Sequence, residues 1–159
     1  MKLQKLILIL ILLCSLSLLS CAQEDPIFQD IDGKTVQITK LKDKWIIVNY
    51  WAEWCSACLK EIPELNNFYQ KNRDKNIILY GVNFDQLPIA ELKQLAVKMR
   101  IQFPVLTNDP KLAWHLEATG VLPVTYIINP KGEVVKKIVG PNTEKTLLNT
   151  LNELQHQTV

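Results

Sequence analysis

Glycine is scarce in this chain, with five residues in 159, and proline adds only eight. The five glycines do not form the phosphate-binding pattern GxxxxGK followed by Ser or Thr, nor the dinucleotide-binding pattern GxGxxG. This argues against a P-loop ATPase and a Rossmann dehydrogenase. An apolar fraction of 48% with so little glycine and proline also excludes a collagen-like, low-complexity or polytopic membrane protein. The length favours one domain.

An excess of charge of either sign is also lacking. The chain has 18 basic and 16 acidic residues, and two of the basic ones, Lys2 and Lys5, lie within the first five positions. The remainder carries 16 basic against 16 acidic residues. Because nucleic-acid binding depends on clustered lysine and arginine, the sequence predicts no nucleic-acid partner.

Only one long hydrophobic run is present, at the N-terminus. Residues 6–19 are almost wholly apolar and follow a short basic stretch. This run is shorter than the roughly 20 residues that span a bilayer. A basic stretch before a short apolar run is typical of an export signal, here residues 1–20, which is not part of the fold. An uncleaved signal anchor is the alternative.

The end of this run predicts a lipid anchor. Residues 18–21, Leu-Leu-Ser-Cys, resemble the bacterial lipobox, so we expect lipid on Cys21 and a tether over residues 21–26. Buried acyl chains hold a protein at a membrane with about 0.8 kcal/mol per CH₂. The domain, residues 27–159, is then expected on the periplasmic side of a bacterial membrane. Ala22 in place of Asp favours the outer membrane under the usual sorting pattern.

Cysteine is sparse in the predicted mature domain. With Cys14 in the signal and Cys21 lipidated, only Cys55 and Cys58 remain. A bridge between them closes too short a loop to restrain the chain much, so a purely structural role is disfavoured. They form a redox pair or half of a metal site, or a chemically idle buried pair. Zinc is disfavoured because a structural site needs four ligands and the only two histidines are far apart in the sequence.

The hydrophobic pattern predicts alternating strands and helices. Residues 45–51 are apolar, β-branched and aromatic, as in a strand buried on both faces. A helix beginning near Cys55 is expected to kink at Pro63, which has no N–H to donate; its predicted inward residues are Cys58, Ile62, Leu65 and Tyr69. The other predicted elements are strands over 35–38, 76–83, 124–129 and 133–139, a turn over 129–132, and two helices, one containing Leu92, Leu95, Ala96 and Met99 and one over 143–155 with Leu147, Leu151 and Leu154 facing inward.

This order of elements predicts the fold class. Strands first alternate with helices, which favours parallel pairing, and the last two strands form an antiparallel hairpin. We therefore expect an α/β fold, a three-layer α/β/α sandwich with a mixed central sheet.

Cys55 and Cys58 lie where the predicted buried strand passes into the predicted helix. A free thiol has a pKa of about 8.5, and only the thiolate attacks a disulfide. The N-terminus of a helix favours the anion. Cys55 is therefore the expected exposed nucleophile, and Cys58, nearly one turn inside the helix, is expected to resolve the mixed disulfide.

Separate motifs over roughly residues 26–155 resemble the thioredoxin-like superfamily. Residues 49–58, NYWAEWCSAC, are similar to the thioredoxin active-site run. Residues 58–65, CLKEIPEL, resemble the membrane-tethered TlpA/ResA-like branch, which shows C-x-x-E-x-P-x-L there. Residues 120–129, GVLPVTYIIN, resemble the segment that carries the family's cis-proline. The resemblance implies a thioredoxin-like fold and a thiol–disulfide oxidoreductase.

The resemblance also implies a partner-binding surface beside the cysteines. It implies a cis Leu122–Pro123 bond packed against the two sulfurs, with a trans turn as the alternative. The backbone of Leu122 would then pair with a partner's extended chain. Trp54 is expected to shield the sulfurs and to contact partners.

One departure from thioredoxin concerns the buried acid. Thioredoxin has an acid six residues before its first active-site cysteine, and this chain has Asn49 there. Glu61 resembles the acidic residue of the branch and is the expected proton acceptor for Cys58. A solvated surface glutamate is the alternative.

The expected function is reduction of protein disulfides outside the cytoplasm by the Cys55–Cys58 dithiol, without a cofactor or resident metal. By resemblance, the oxidised domain is recharged by a membrane electron donor of the DsbD type, and its branch often serves cytochrome c maturation. A disulfide oxidase or isomerase is the alternative within enzymes. A metallochaperone that holds Cu(I) or zinc through the same cysteines is the alternative from another class. A peroxiredoxin is disfavoured because residues 50–52, Tyr-Trp-Ala, replace its upstream Pro and Thr or Ser.

Overall fold

The computed structural model describes residues 26–157. The predicted signal, Cys21 and most of the predicted tether lie outside the described residues, so these expectations stay predictions. The strands are β1 (Ile27–Gln29), β2 (Thr35–Gln37), β3 (Trp45–Trp51), β4 (Ile77–Asn83), β5 (Val105–Leu106), β6 (Val124–Ile128) and β7 (Val134–Val139). The helices are α1 (Ser56–Asn72), α2 (Ile89–Lys98) and α3 (Glu144–Gln157), with one 3-10 turn over Ile38–Leu41. None of the helices within 26–157 is long and apolar enough to span a membrane.

A five-stranded mixed sheet forms the centre of the molecule, in the order β5-β4-β3-β6-β7. β3 pairs in parallel with β4, which pairs in parallel with β5, while β6 runs antiparallel to both β3 and β7. All seven residues of the central strand β3 are buried. β1 and β2 form a separate antiparallel hairpin. The predicted strand 45–51, the final hairpin and the mixed sheet are confirmed.

The two faces of the sheet are covered differently. Alternate residues of β3 point to opposite faces: Ile47 and Trp51 pack in the clusters that contain α1, α2 and α3. Ile46, Val48 and Tyr50 pack against the β1–β2 hairpin and the segment around Trp114. The thioredoxin-like α/β sandwich is confirmed, with the three helices on one face. Irregular structure and the hairpin make up most of the layer on the other face.

Two strands, β1 and β5, are missing from the predicted elements. They have three and two residues, too few to show a strand period. β5 is defined by distant partners: the amide of Gly81 donates to the carbonyl of Pro104 at 2.8 Å, and Asp30 bridges to Leu106. Such pairing depends on tertiary structure and leaves no local signal.

Helix α1 carries the predicted buried stripe. Cys58, Ile62 and Leu65 are buried as expected, whereas Tyr69 is half-buried. Glu61 and Phe68 also lie in the stripe. The helix continues through Pro63, and the kink expected there stays a prediction. The predicted inward residues Leu92, Leu95 and Ala96 of α2, and Leu147 and Leu151 of α3, are buried, while Met99 and Leu154 are half-buried.

Gly81 of β4 provides a stability test for this packing. A Cβ at this position would lie 2.8 Å from Cε2 of Phe103 and 3.0 Å from Nε1 of Trp51. Because the two rings fill the space, we predict that Gly81→Ala lowers the free energy of unfolding by about 1–3 kcal/mol in urea titrations. Gly120→Ala is the matched control, since nothing lies within 4 Å of its Cβ. Equal unfolding free energies for the two variants would contradict the packing.

Candidate active site

The two cysteines lie at the carboxyl end of β3 and are joined as a disulfide. Cys55, the fourth residue after the strand, caps the N-terminus of α1, and its sulfur accepts a hydrogen bond from the backbone N–H of Cys58 at 3.1 Å. The amide of Cys55 donates to the carbonyl of Ala52 at 3.3 Å. This turn places one sulfur against the exposed N–H groups of a helix, where a thiolate is favoured.

Cys55 is more buried than the sequence predicted, whereas Cys58 is buried as expected. Cys55 is 6% exposed and Cys58 is 0% exposed. The expectation of a well-exposed Cys55 is wrong, because Trp51, Leu92 and other apolar side chains pack around the pair. Cys55 is still the more exposed of the two cysteines, as expected, since only Cys55 presents measurable surface.

The Leu122–Pro123 bond is cis, so the alternative of a trans turn is wrong. Leu122 is half-buried and packs against the cluster that holds both cysteines. Pro123 is buried, and its carbonyl accepts a hydrogen bond from the amide of Gly140 at 2.9 Å. The predicted partner-binding segment therefore lies beside the disulfide, while its pairing with a partner stays a prediction.

Trp54 forms an exposed aromatic surface next to Cys55. Its side chain is 64% exposed. The indole N–H donates to both carboxylate oxygens of Asp85 at 3.1 Å. The Phe84 ring packs edge-on against the indole, with the two ring centroids 6.1 Å apart. Both partners lie in the turn after β4 and were not predicted from the sequence. The exposed ring fits the predicted contact with partners.

Glu61 is buried beneath the helix that carries the cysteines. It is 1% exposed and lies one turn after Cys58 on the same side of α1. Its Oε1 accepts hydrogen bonds from the backbone N–H and from Nδ2 of Asn142, at 2.8 and 3.0 Å. Its Oε2 accepts one from Nδ2 of Asn49 at 3.1 Å. The alternative of a solvated surface glutamate is therefore wrong.

Burial raises the pKa of the Glu61 carboxyl above its ordinary value. The hydrogen bonds from the backbone and side chain of Asn142, and then the one from Asn49, lower the pKa but offset the burial only in part. Glu61 is thus an acid that retains its proton to a higher pH than an exposed glutamate.

Glu61 belongs to a buried polar cluster that links four parts of the chain: α1, β3, β6 and the loop after β7. Asn49 on β3 lies directly opposite Thr125 on β6. The Thr125 hydroxyl oxygen accepts hydrogen bonds from Nδ2 of Asn49 at 3.0 Å and from Nδ2 of Asn142 at 3.1 Å. Asn49, at the sequence position of thioredoxin's acid, thus donates a hydrogen bond to the acid at position 61. Thr125 and Asn142 were missed; the only local signal was an asparagine in an otherwise apolar strand.

No group of three or more His, Cys, Asp and Glu side chains within residues 26–157 is arranged to hold a metal ion. Cys55 and Cys58 would supply two thiolates in the reduced state. The arrangement supports dithiol chemistry: two sulfurs that can exchange a bond, and a buried carboxyl near the inner sulfur.

Comparison with known proteins assigns the chain to a family. The family model described as the AhpC/TSA family matches residues 22–137. The thiol-disulfide oxidoreductase ResA of Bacillus cereus is 30% identical over 125 residues, covering 79% of this chain and 72% of that protein. A thioredoxin family thiol:disulfide interchange protein of Chlorobium tepidum superposes with a TM-score of 0.64 at 27% identity, covering 76% of this chain and 86% of that chain.

A lipoprotein from another organism shares the fold. The exposed lipoprotein thioredoxin of Streptococcus pneumoniae superposes with a TM-score of 0.69 at 24% identity, covering 81% of this chain and 98% of that chain. Together with the disulfide at the start of α1, these similarities show a protein disulfide oxidoreductase. The chain belongs to the AhpC/TSA family of thioredoxin-like proteins and is similar to the ResA thiol–disulfide oxidoreductases within it.

Proposed function

We propose that the protein is a lipid-anchored reductant of protein disulfides on the extracytoplasmic side of a bacterial membrane. The observation that carries the proposal is the Cys55–Cys58 pair at the N-terminus of α1 with the buried Glu61 one turn below it. The helix end favours a thiolate at Cys55, and a buried carboxyl of raised pKa is suited to take up a proton.

The reaction begins from the dithiol. The Cys55 thiolate attacks one sulfur of a partner's disulfide, forms a mixed disulfide and releases the first partner sulfur as a thiolate, which is then protonated. Glu61 accepts the proton of Cys58. The resulting Cys58 thiolate attacks the Cys55 sulfur and releases the second partner sulfur. The partner gains two electrons, and the protein is left with the disulfide that the structure contains.

The partner binds as an extended chain beside the cis bond. Pro123 has no N–H, so pairing with a strand of the partner depends on the backbone of Leu122. Trp54 offers a flat apolar surface next to Cys55. The ion pair between Glu53 and Lys98 borders this surface and is solvent-exposed, so it contributes little to stability.

Continued turnover requires a donor that reduces Cys55–Cys58 again. A membrane dithiol donor of the DsbD type and a place in cytochrome c maturation are the proposals that the TlpA/ResA-like motif supports. The basic and apolar N-terminal run followed by Cys21 supports the lipid anchor and the periplasmic side, and Ala22 in place of Asp supports the outer membrane. The C-x-x-E-x-P run supports reduction over oxidation or isomerisation.

Cysteine substitutions test the order of attack. We predict that Cys58→Ser retains partners as mixed disulfides through Cys55, because the resolving thiol is gone, and that Cys55→Ser retains none. The mixed disulfides are detected on non-reducing gels of the full chain and identified by mass spectrometry. Wild-type protein reduces insulin, and both variants fall to the uncatalysed rate.

Three results would contradict this proposal. Partners captured through Cys58 in Cys55→Ser would reverse the roles of the two sulfurs. Thiol alkylation in cells tests whether the protein reduces or oxidises its partners. A reductant is held mostly as the dithiol, so a wild-type protein found mostly as the disulfide would indicate an oxidase. A protein that fails to reduce insulin and keeps bound metal through dialysis would be a metallochaperone.

The raised pKa of Glu61 predicts a pH-dependent stability. An unfolded glutamate titrates near 4.3, and the native protein holds its Glu61 proton to a higher pH. Between the two pKa values the native state binds more protons, so the free energy of unfolding falls as pH rises through that window. In urea titrations of the oxidised protein, the free energy of unfolding of Glu61→Gln should not fall with pH in this window.

Glu64→Gln is the matched control for that series. Glu64 lies one turn further along α1, is half-buried, and accepts a hydrogen bond from the amide of Glu144 at 2.9 Å. Its variant should keep the wild-type dependence on pH. If Glu61→Gln and wild type show the same fall, the native state does not hold a proton on Glu61 at raised pH.

A further inference from the structure

The loop between β7 and α3 supplies most of the hydrogen bonds to Glu61. Asn142 in this loop is 5% exposed and lies 81 residues from Glu61 in the sequence. Its backbone N–H and its side-chain amide both donate to the same carboxylate oxygen, Oε1, at 2.8 and 3.0 Å. A two-point contact fixes the plane of the carboxyl group as well as its position.

The two oxygens of Glu61 are therefore unequal. A carboxylate has about two acceptor sites on each oxygen. Both sites of Oε1 are occupied by Asn142, whereas the one hydrogen bond that Oε2 accepts from residues 26–157 comes from Asn49 at 3.1 Å. We propose that Asn142 is a positioning residue that holds Glu61 through Oε1 and leaves Oε2 as the oxygen that takes up the proton. The functional meaning of this inference rests on the proposed role of Glu61 in the exchange reaction, whereas the hydrogen-bond arrangement does not depend on that role.

The surroundings of Oε2 are suited to a proton. Oδ1 of Asn49 is buried and has no hydrogen-bond partner among the described residues. Turning this amide over would bring Oδ1 to Oε2, where it could accept a hydrogen bond from the O–H that forms when Oε2 is protonated. Thr125 is the neutral group that faces the cluster from β6. Cys58, one turn earlier on the same helix, becomes a titratable group when the disulfide is reduced.

Two carboxylates near the loop, Glu64 and Glu144, are engaged elsewhere. Glu64 accepts a hydrogen bond from the amide of Glu144, and Glu144 forms an ion pair with Lys71 at 2.8 Å. Burial raises the pKa of Glu61, and the hydrogen bonds from Asn142 and then from Asn49 lower it. Asn142 is thus a main determinant of how firmly the carboxyl holds a proton.

The loop is anchored on both sides of Asn142. The amide of Gly140 donates to the carbonyl of the cis-proline Pro123, and the amide of Glu144 donates to Glu64, each at 2.9 Å. These bonds do not involve the side chain of Asn142. Truncating that side chain should therefore leave the backbone donor to Oε1 in place and remove only Nδ2.

The test is a titration of Glu61 in the oxidised full chain. We expect Asn142→Ala to raise the proton affinity of the carboxyl about tenfold, because one hydrogen bond to the charged form is lost. Carbon-13 NMR of protein labelled at glutamate carboxyls measures this as a titration displaced to higher pH, with the Glu61 resonance assigned by its loss in Glu61→Gln. A Glu61 titration that does not move in Asn142→Ala would overturn the inference.

Asn66→Ala is the matched control for the loss of a structural asparagine. Asn66 on α1 is buried and bonds the carbonyl of Arg100 and the amide of Gln102, both at 2.8 Å, with no contact to Glu61. Asn66→Ala should lower stability without moving the Glu61 titration. A displacement of equal size in this variant would mean that the effect comes from general destabilisation of the fold.

Asn142→Asp provides a second measurement if Asn142→Ala folds poorly. A carboxylate beside Oε1 should displace the titration further in the same direction, and a displacement to lower pH would contradict the inference.

The two proposals fail separately. The titration uses oxidised protein without a partner, so it reports on Asn142 and Glu61 whether or not Glu61 takes a proton from Cys58. A displaced titration together with an unchanged rate of mixed-disulfide resolution supports the positioning role and removes Glu61 from the reaction.

Discussion

The burial of a carboxyl group one helical turn from a redox-active sulfur is the constraint on which the rest of the site depends. A carboxylate taken out of water is strongly unfavourable unless hydrogen bonds replace its hydration. Asn49 from the central strand and Asn142 from a distant loop supply those bonds, and even so the pKa of Glu61 remains raised. The fold therefore holds a buried acid whose pKa is raised by burial and lowered in part by its hydrogen bonds.

This constraint links the elements of the fold to the chemistry. Helix α1 carries Cys58 and Glu61 on one buried side, so packing that helix against the sheet places the inner sulfur and the acid together. β3 ends where α1 begins and supplies Asn49 from inside the sheet. The loop after β7 contacts Glu61 through Asn142 and the cis-proline segment through Gly140. The proposed partner-binding segment and the proposed proton acceptor thus both contact one short loop.

The sequence is sufficient for those parts of the structure that have a local pattern. The apolar run of β3, the helix beginning at the cysteines and the final hairpin follow from composition and period, and the cis bond follows from the resemblance around Pro123. Asn142, Thr125 and the turn holding Trp54 could not be predicted, because each acts through residues far away in the chain. Cys55 was expected to be exposed for the same reason: side chains from α2 and β3 cover it, and no local pattern records them. Glu61 was left open as a surface residue because its i+3 spacing from Cys58 does not itself report burial.

The most direct test of proton transfer between Cys58 and Glu61 is the rate of the resolving step. Reduced protein mixed with excess aromatic disulfide releases one coloured thiolate when Cys55 attacks and a second when Cys58 attacks the mixed disulfide. The second phase is unimolecular and can be followed over a range of pH by stopped-flow absorbance. In wild-type protein this phase should follow the ionisation of Glu61, and in Glu61→Gln it should slow by about 100-fold and lose that dependence. Superimposable pH profiles for the two proteins would show that Cys58 gives its proton to another acceptor.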